Sequence, residues 1–368
     1  MFRPNGECLT TVPVKESADM VQKVIDFPFQ VAEAYSMSIN QRELPPEFDG
    51  KFSSVVILGM GGSGVAGDFV RVLLRNSRIP VHTCKNSRPP AFVNRDTLVI
   101  AITYSGKTQE TLEALNASLN SEAKCVVITA SRELGSLCEE KKIPWIFTPW
   151  NGYSRASFGY ILVPVLGILN RIGLFPTLES DISEAIMVLN EIREECGPNV
   201  TLHKNPARLL ALALADALPV TYGEYNFTDV VALRWKQQLN ENAKVHCYYD
   251  IFPELLHNEI EAWDAGTGHT EKGEHPVLMF LRDSMHERYN HFEQRIEATK
   301  YLAERNGAKV FELWTKGKSE LARLLSLTYM ADFVSIYLAA SRGINPEVTD
   351  NIDYIKNQKA VSIESKDV

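Results

Sequence analysis

The chain has 368 residues, a formal net charge of −8, and 45% hydrophobic and 23% charged side chains. At roughly 100 to 200 residues per domain this predicts two globular domains with sizeable cores, and it excludes a disordered chain, which would be less apolar and more strongly charged. No run approaches the roughly 18 to 20 uninterrupted apolar residues that span a bilayer, and the opening MFRPNGECLTTVPVKES lacks the apolar centre of a secretory signal, so a cytoplasmic protein without a membrane partner is expected.

Residues 17–41 carry helical spacing, with Met20, Val21, Val24 and Ile25 and then Val31, Ala32 and Tyr35, broken near Pro28. Prolines and acids over 43–49 precede the apolar run 55–58, which leads straight into glycines and reads as a buried strand entering a tight turn. A helix over 66–75, strands over 80–83 and 97–103, a helix over 108–119 and strands over 124–129 and 145–148 follow. After a helical middle over 158–195 the rhythm resumes: strand 218–222, helix 229–240, strands 244–248 and 277–281, helix 287–306, strand 309–313, helix 319–342. Beyond Gly343 the tail is expected to pack back, with Ile352 and Ile355 on one more short helix. Such alternation predicts an α/β protein with parallel sheets flanked by helices. The expected division is an N-terminal helical segment over 1–50, a first α/β domain over 51–155, a helical connector over 156–204, a second α/β domain over 205–345 and a tail over 346–368.

The six cysteines are scattered without a CxxC pair, so reduced, packing thiols are expected, with no disulfide and no structural zinc. His269, Glu271, Glu274 and His275 crowd one loop, but nothing aligns them for a metal, and none is expected. Four basic against eight acidic residues in the first 50 argue against a nucleic-acid partner.

The sharpest local signal is Gly59-Met60-Gly61-Gly62-Ser63-Gly64, between a strand and a helix. Missing side chains there let backbone N–H groups and the helix dipole face an anion. The motif satisfies GxGxxG, yet a dinucleotide site would want an acid after the second strand, where Lys85, Asn86, Ser87 and Arg88 stand instead. Either cation could meet the extra phosphate of NADP, so an oxidoreductase stays open as an alternative. Ser63 sits in GGSG rather than a GxSxG elbow, which removes the hydrolase reading. The third strand ends in Thr103-Tyr104-Ser105-Gly106-Lys107-Thr108, another strand-to-helix turn whose hydroxyls suit a phosphate monoester, although each alone could be a helix cap. Adjacent strand ends of a parallel sheet share one crevice, so the two loops converge on one ligand.

These two loops resemble the sugar isomerase (SIS) domain, in which a GGS turn and a (S/T)xSGxT loop bind a sugar phosphate. The stretches TDVVALRWKQQLNENAK over 228–244 and PELLHNEI over 253–260 resemble the archaeal-type bifunctional phosphoglucose/phosphomannose isomerases. The similarity also takes in the N-terminal helix, residues 154–160, residues 332–335 and the tail 346–356, nearly the whole chain. It implies two SIS-type three-layer α/β/α domains, a homodimer, no cofactor, and interconversion of fructose 6-phosphate with glucose 6-phosphate and mannose 6-phosphate. Gly61, Gly62, Ser63, Thr103, Ser105 and Thr108 are then the substrate-binding residues. SIS domains also serve as sugar-phosphate sensors without catalysis, which stays open as the second alternative.

Aldose–ketose interconversion moves a proton between C1 and C2 through a cis-enediolate, and a carboxylate with a tuned pKa is a suitable base. Glu241 is the candidate; it follows Arg234 by seven positions and Gln238 by three, so the three share one helix face if the helix extends that far. The resemblance puts the base at this glutamate. A histidine can carry the proton of ring opening, and His257 matches the family's ring-opening histidine, which the partner subunit supplies. Arg155 matches an arginine that stabilises the enediolate. Thr349 stands where glucose-specific enzymes have glutamine, so dual epimer specificity is implied, unless it only caps the last helix. Lys356, seven residues on, is expected near the reacting end of the sugar. Two features depart from the family: Lys107 stands where asparagine is frequent, and the loop 267–274 has no counterpart.

Overall fold

The computed structural model describes residues 18–40, 44–48, 51–263 and 276–356. The loop 267–274, the histidines and glutamates of the 269–275 cluster, Cys8 and the outer parts of both terminal segments lie outside the described residues.

The expected N-terminal helix is two, α1 (Ala18–Ile25) and α2 (Phe27–Asn40). Pro28 falls in the first turn of α2, where its missing N–H would have had no intrahelical acceptor. The first sheet is built from β1 (Ser54–Leu58), α3 (Gly61–Leu73), β2 (Val81–Cys84), β3 (Thr97–Ile102), α4 (Gln109–Asn120), β4 (Lys124–Thr129), α5 (Arg132–Glu140) and β5 (Trp145–Phe147). Its order is β2-β1-β3-β4-β5, every pair parallel. The strand order therefore reverses between β1 and β3, which run in register from Ser54↔Thr97 to Leu58↔Ala101 and are buried along their whole length. Successive side chains point to opposite faces: Val55 and Ile57 enter a large core with α2 and α6, while Val56 and Leu58 enter a smaller one under α4 and α5. Both faces are covered, which explains the unbroken apolar run that marked β1.

A 3₁₀ turn (Ser154–Ala156) leads to α6 (Phe158–Arg171) and α7 (Leu178–Cys196), so the helical middle is two helices, and α8 (Pro206–Leu214) follows beyond it. The second sheet follows with β6 (Leu218–Glu224), α9 (Asp229–Ala243), β7 (Tyr248–Phe252), 3₁₀ turns at Glu254–His257 and Glu259–Trp263, β8 (Pro276–Arg282), α10 (Ser284–Asn290), α11 (Glu293–Arg305) and β9 (Lys309–Trp314). Its order is β7-β6-β8-β9, again parallel. The strand expected over 244–248 lies instead at Tyr248–Phe252, because α9 runs on through Ala243 and Lys244 ends it in the left-handed conformation. The helix expected over 287–306 is broken by His291, also left-handed, into α10 and α11.

The final elements are α12 (Glu320–Ser341) and α13 (Asp350–Lys356). α12 is long and apolar enough to cross a membrane by length and composition, but it is mostly buried, packing on α7, α8 and α9 as the central core helix. It belongs to one continuous core that also takes in α1, α2, α6, α7 and the inner faces of both sheets. The two sheets are further joined where Arg71 of α3 meets Asp229 of α9 at 2.9 Å and Asn226 at 2.7 Å. The five described cysteines are free and buried, and burial pushes the Cys125, Cys196 and Cys247 thiols up to about 12, as befits packing groups.

Candidate active site

The glycine turn is itself the first turn of α3, which begins at Gly61 rather than at the expected 66. Gly61 needs its glycine for a φ of +52°, and at Gly64 a Cβ would stand 2.7 Å from the Gly59 carbonyl oxygen. The Gly61 and Gly62 amides open the helix and have no acceptor within it. Ser63 is buried, and among the described residues its hydroxyl has no hydrogen-bond partner. Lys85, the cation considered for a dinucleotide phosphate, is ion-paired to Asp68 of α3.

On the neighbouring strand end, Thr103 is 1% exposed and its hydroxyl is buried without a partner. Thr108 occupies the N-cap of α4, yet its side chain makes no capping bond. Ser105 is exposed and accepts from the Lys107 N–H at 3.3 Å. Two strand-to-helix turns at the reversal point thus carry helix N-termini and, at Thr103, a buried hydroxyl left without a partner among the described residues, the requirements of a phosphate site.

The glycine turn abuts the Arg155 turn: a Cβ on Gly62 would lie 3.4 Å from the Ser154 carbonyl oxygen. Arg155 is buried, stacks over Tyr153 at 4.6 Å, and donates from Nε to Asn242 Oδ1 at 2.8 Å and from Nη2 to the Pro346 carbonyl at 2.7 Å. Its Nη1 stands 3.6 Å from Glu241 Oε2. Glu241 lies inside α9, so the helix does extend far enough to bring Arg234, Gln238 and Glu241 into one neighbourhood. Burial pushes the Glu241 carboxyl above its ordinary value, against the pull of Arg155, Arg234, Lys244 and Lys356. That raises its basicity while leaving cations around it, the environment a proton-transferring carboxylate requires.

Behind these residues is a buried polar frame that the sequence did not reveal. Arg234 donates to Asp332 Oδ1 at 2.9 Å and to the Arg155 carbonyl at 3.1 Å, Gln238 also donates to Asp332, and Asn242 Nδ2 donates to Ser335 Oγ at 2.9 Å. α2 contributes as well: Gln30 Nε2 donates to the Ala156 carbonyl at 2.8 Å. Burial raises the Asp332 pKa, and Arg234 opposes the shift. The signal available was three polar residues, Asn240, Glu241 and Asn242, at the end of an otherwise amphipathic helix, with an acid in the middle of the apolar α12.

The tail does pack back, but through residues 346–348 rather than through its helix. Pro346 is buried under Arg155, whereas no residue of α13 is buried, Ile352 and Ile355 included. Thr349 caps α13: its carbonyl accepts from the Asp353 N–H at 3.0 Å and its hydroxyl donates to Asp353 Oδ2 at 3.3 Å. Lys356 is exposed at the end of α13 and acts electrostatically on Glu241. His257 is not brought to this cluster. It ends the 3₁₀ turn after β7, exposed, and among the described residues it makes no hydrogen bond or ion pair.

Residues 51–143 match the model of the SIS domain, and residues 203–358 match that of the bacterial phospho-glucose isomerase C-terminal SIS domain. Among solved structures, a glucosamine-6-phosphate deaminase from Thermotoga maritima superposes with a TM-score of 0.63 at 16% identity, covering 90% of this chain and 97% of that one. The C-terminal domain of a glucosamine-fructose-6-phosphate aminotransferase from Francisella tularensis gives 0.64 at 17% identity, covering 88% and 96%. At such identities the likeness speaks to fold alone. A bifunctional phosphoglucose/phosphomannose isomerase from Caldicellulosiruptor bescii is 35% identical over 93% of this chain and 99% of its own length. Enzymes of the same name from Aquifex aeolicus and Thermoplasma acidophilum are 31% and 33% identical, covering 83% and 84% of this chain and 90% of each relative. With the strand-end loops, the buried Arg155 and the Glu241 neighbourhood in hand, this similarity along nearly the full length means that the chain belongs to the bifunctional phosphoglucose/phosphomannose isomerase family.

Proposed function

We propose that this protein interconverts fructose 6-phosphate with glucose 6-phosphate and mannose 6-phosphate through a cis-enediolate, using side chains alone. The observation that carries this reading is the Arg155–Glu241 pair, 3.6 Å apart, which joins the end of α9 to the turn that also abuts the glycine loop. The phosphate sits on the Gly61, Gly62 and Ser63 turn and the Thr103, Ser105 and Thr108 loop. Glu241 moves the proton between C2 and C1, and the Arg155 guanidinium holds the negative charge that develops on the enediolate oxygens. Thr349, with its small side chain, leaves room for the C1–C2 end to turn, so that either epimer forms, and Lys356 lies beside that end.

His257 opens the sugar ring from a second copy of the chain in a homodimer; its exposure, with no hydrogen bond or ion pair among the described residues, supports this. Mixing Glu241→Gln and His257→Ala variants tests the arrangement. If the histidine crosses the interface, each mixed dimer regains one intact site and activity returns; if it acts within its own chain, no activity returns.

The first assay incubates EDTA-treated protein with fructose 6-phosphate and quantifies both aldose products separately. Both are expected. Neither would leave the non-catalytic sugar-phosphate sensor as the better reading. Glu241→Gln should cost about 10²- to 10⁴-fold in kcat, the usual contribution of a positioned general base, while a thermal shift with substrate persists.

A further inference from the structure

We propose that Lys244 is a positioning residue that clasps the C-terminal tail against the reacting end of the sugar and thereby sets the ratio of the two aldose products. The proposal rests on the isomerase reading above. Lys244 terminates α9 at φ 55° and ψ 39°, a left-handed conformation in which glycine is the favoured residue. A lysine held there bears a backbone penalty that its side-chain bonds offset together with the helix-end bonds to the Leu239 carbonyl. Its ammonium donates to the Glu241 carbonyl, one of the last carbonyls of α9 that lack an intrahelical partner, and to the Val348 carbonyl at 2.7 Å. One group thus caps the helix that carries Glu241 and fastens the segment that carries Thr349.

Among the described residues the tail is also held at a second point. Arg155 holds the Pro346 carbonyl at 2.7 Å and the Glu347 carbonyl at 3.4 Å, and Pro346 is buried. Thr349 then turns directly into α13, which has no buried residue. Arg155 touches substrate in the mechanism above, so Lys244 is the tether that acts on the tail without entering the chemistry. Arg155 and Lys244 also both act electrostatically on Glu241, so the clasp couples tail position to the charge around the base. If the clasp opens, Thr349 and Lys356 lose their placement relative to C1 and C2, and discrimination between the epimers changes.

The test compares Lys244→Gly and Lys244→Arg in the full chain. Glycine removes the donor and relieves the left-handed backbone, so Tm should hold or rise while function changes, a combination that general damage to the fold cannot produce. Cleavage after Glu347 by a glutamate-specific protease should quicken about tenfold or more in Lys244→Gly, the factor expected when a hydrogen bond to a charged group is lost, and should return toward the parent rate in Lys244→Arg. The ratio of mannose 6-phosphate to glucose 6-phosphate should shift in Lys244→Gly and be rescued in Lys244→Arg. An unchanged Glu347 cleavage rate or an unchanged product ratio in Lys244→Gly would overturn the proposal. If the parent protein makes neither product, the isomerase reading fails, while the proteolysis arm still decides whether the clasp exists.

Discussion

The two sheets offer equivalent crevices, one where β1 and β3 end and one where β6 and β8 end, and they differ in what their polar groups do. In the first, the Thr103 hydroxyl is buried without a partner, and Thr108 leaves its N-cap bond unmade. In the second, Thr228, Asp283 and Glu224 at the corresponding strand ends are engaged internally. Thr228 donates to the Leu281 carbonyl at 2.9 Å, and Asp283 accepts from Arg323 at 2.6 Å and from Thr315 at 2.6 Å. Glu224 meets His286 at 2.7 Å, and Phe227 stacks on His286 at 5.0 Å. Carboxylates line the place where the first crevice offers hydroxyls, so a phosphate would meet like charge. Strand order alone therefore does not make a binding site; it makes a site only where polar groups are left free at the reversal point.

If the second crevice is purely structural, Asp283→Ala should destabilise the protein by about 3–5 kcal/mol, because it leaves the buried Arg323 with only the more distant Glu320, at 3.9 Å, for an anion. The KM for fructose 6-phosphate should stay within about twofold, since no group that binds substrate is lost. A large rise in KM with little loss of stability, read from urea unfolding and initial rates, would contradict the contrast. Thr103→Val should do the reverse. Its hydroxyl has no protein partner, so Tm should barely move, while the lost bond to an anionic phosphate should raise KM about tenfold or more. A fall in Tm without a change in KM would make Thr103 a structural residue.

The smallest effect concerns pH. Burial pushes the Glu224 carboxyl up to about 7 from its ordinary 4.5, with His286 opposing the shift. The folded state therefore binds a proton that the unfolded state has released. Stability from this group is full below pH 4.5 and is lost as pH rises through 7. Glu224→Gln should flatten that part of the Tm-against-pH curve, with no matching change in the pH dependence of KM. A matching change would tie the second crevice to substrate after all.

The architecture was legible in the sequence because its signals are local. Apolar runs such as 55–58 and 97–102 mark strands buried on both faces, and glycines at a strand end mark a tight turn into a helix. The hydroxyl loop was legible for the same reason. The helix end was not: Asn240-Glu241-Asn242 has the look of a terminus, but Asn242 is buried against Arg155 and α9 runs on to Ala243, which displaced β7 by four residues. Local propensity lost to packing there.

Sequence by itself thus determined two parallel α/β units and the two phosphate-type loops, since each depends on spacing within a few residues, while the candidate acid, base and cation came from resemblance to a family. Only the tertiary structure decided what those groups touch. Arg155 reaches a carbonyl 191 residues away, Asn242 a hydroxyl 93 residues away and Arg234 an aspartate 98 residues away. The physical reason is that a buried polar group must find a partner wherever the packed core places one, and no pattern along the chain records that distance.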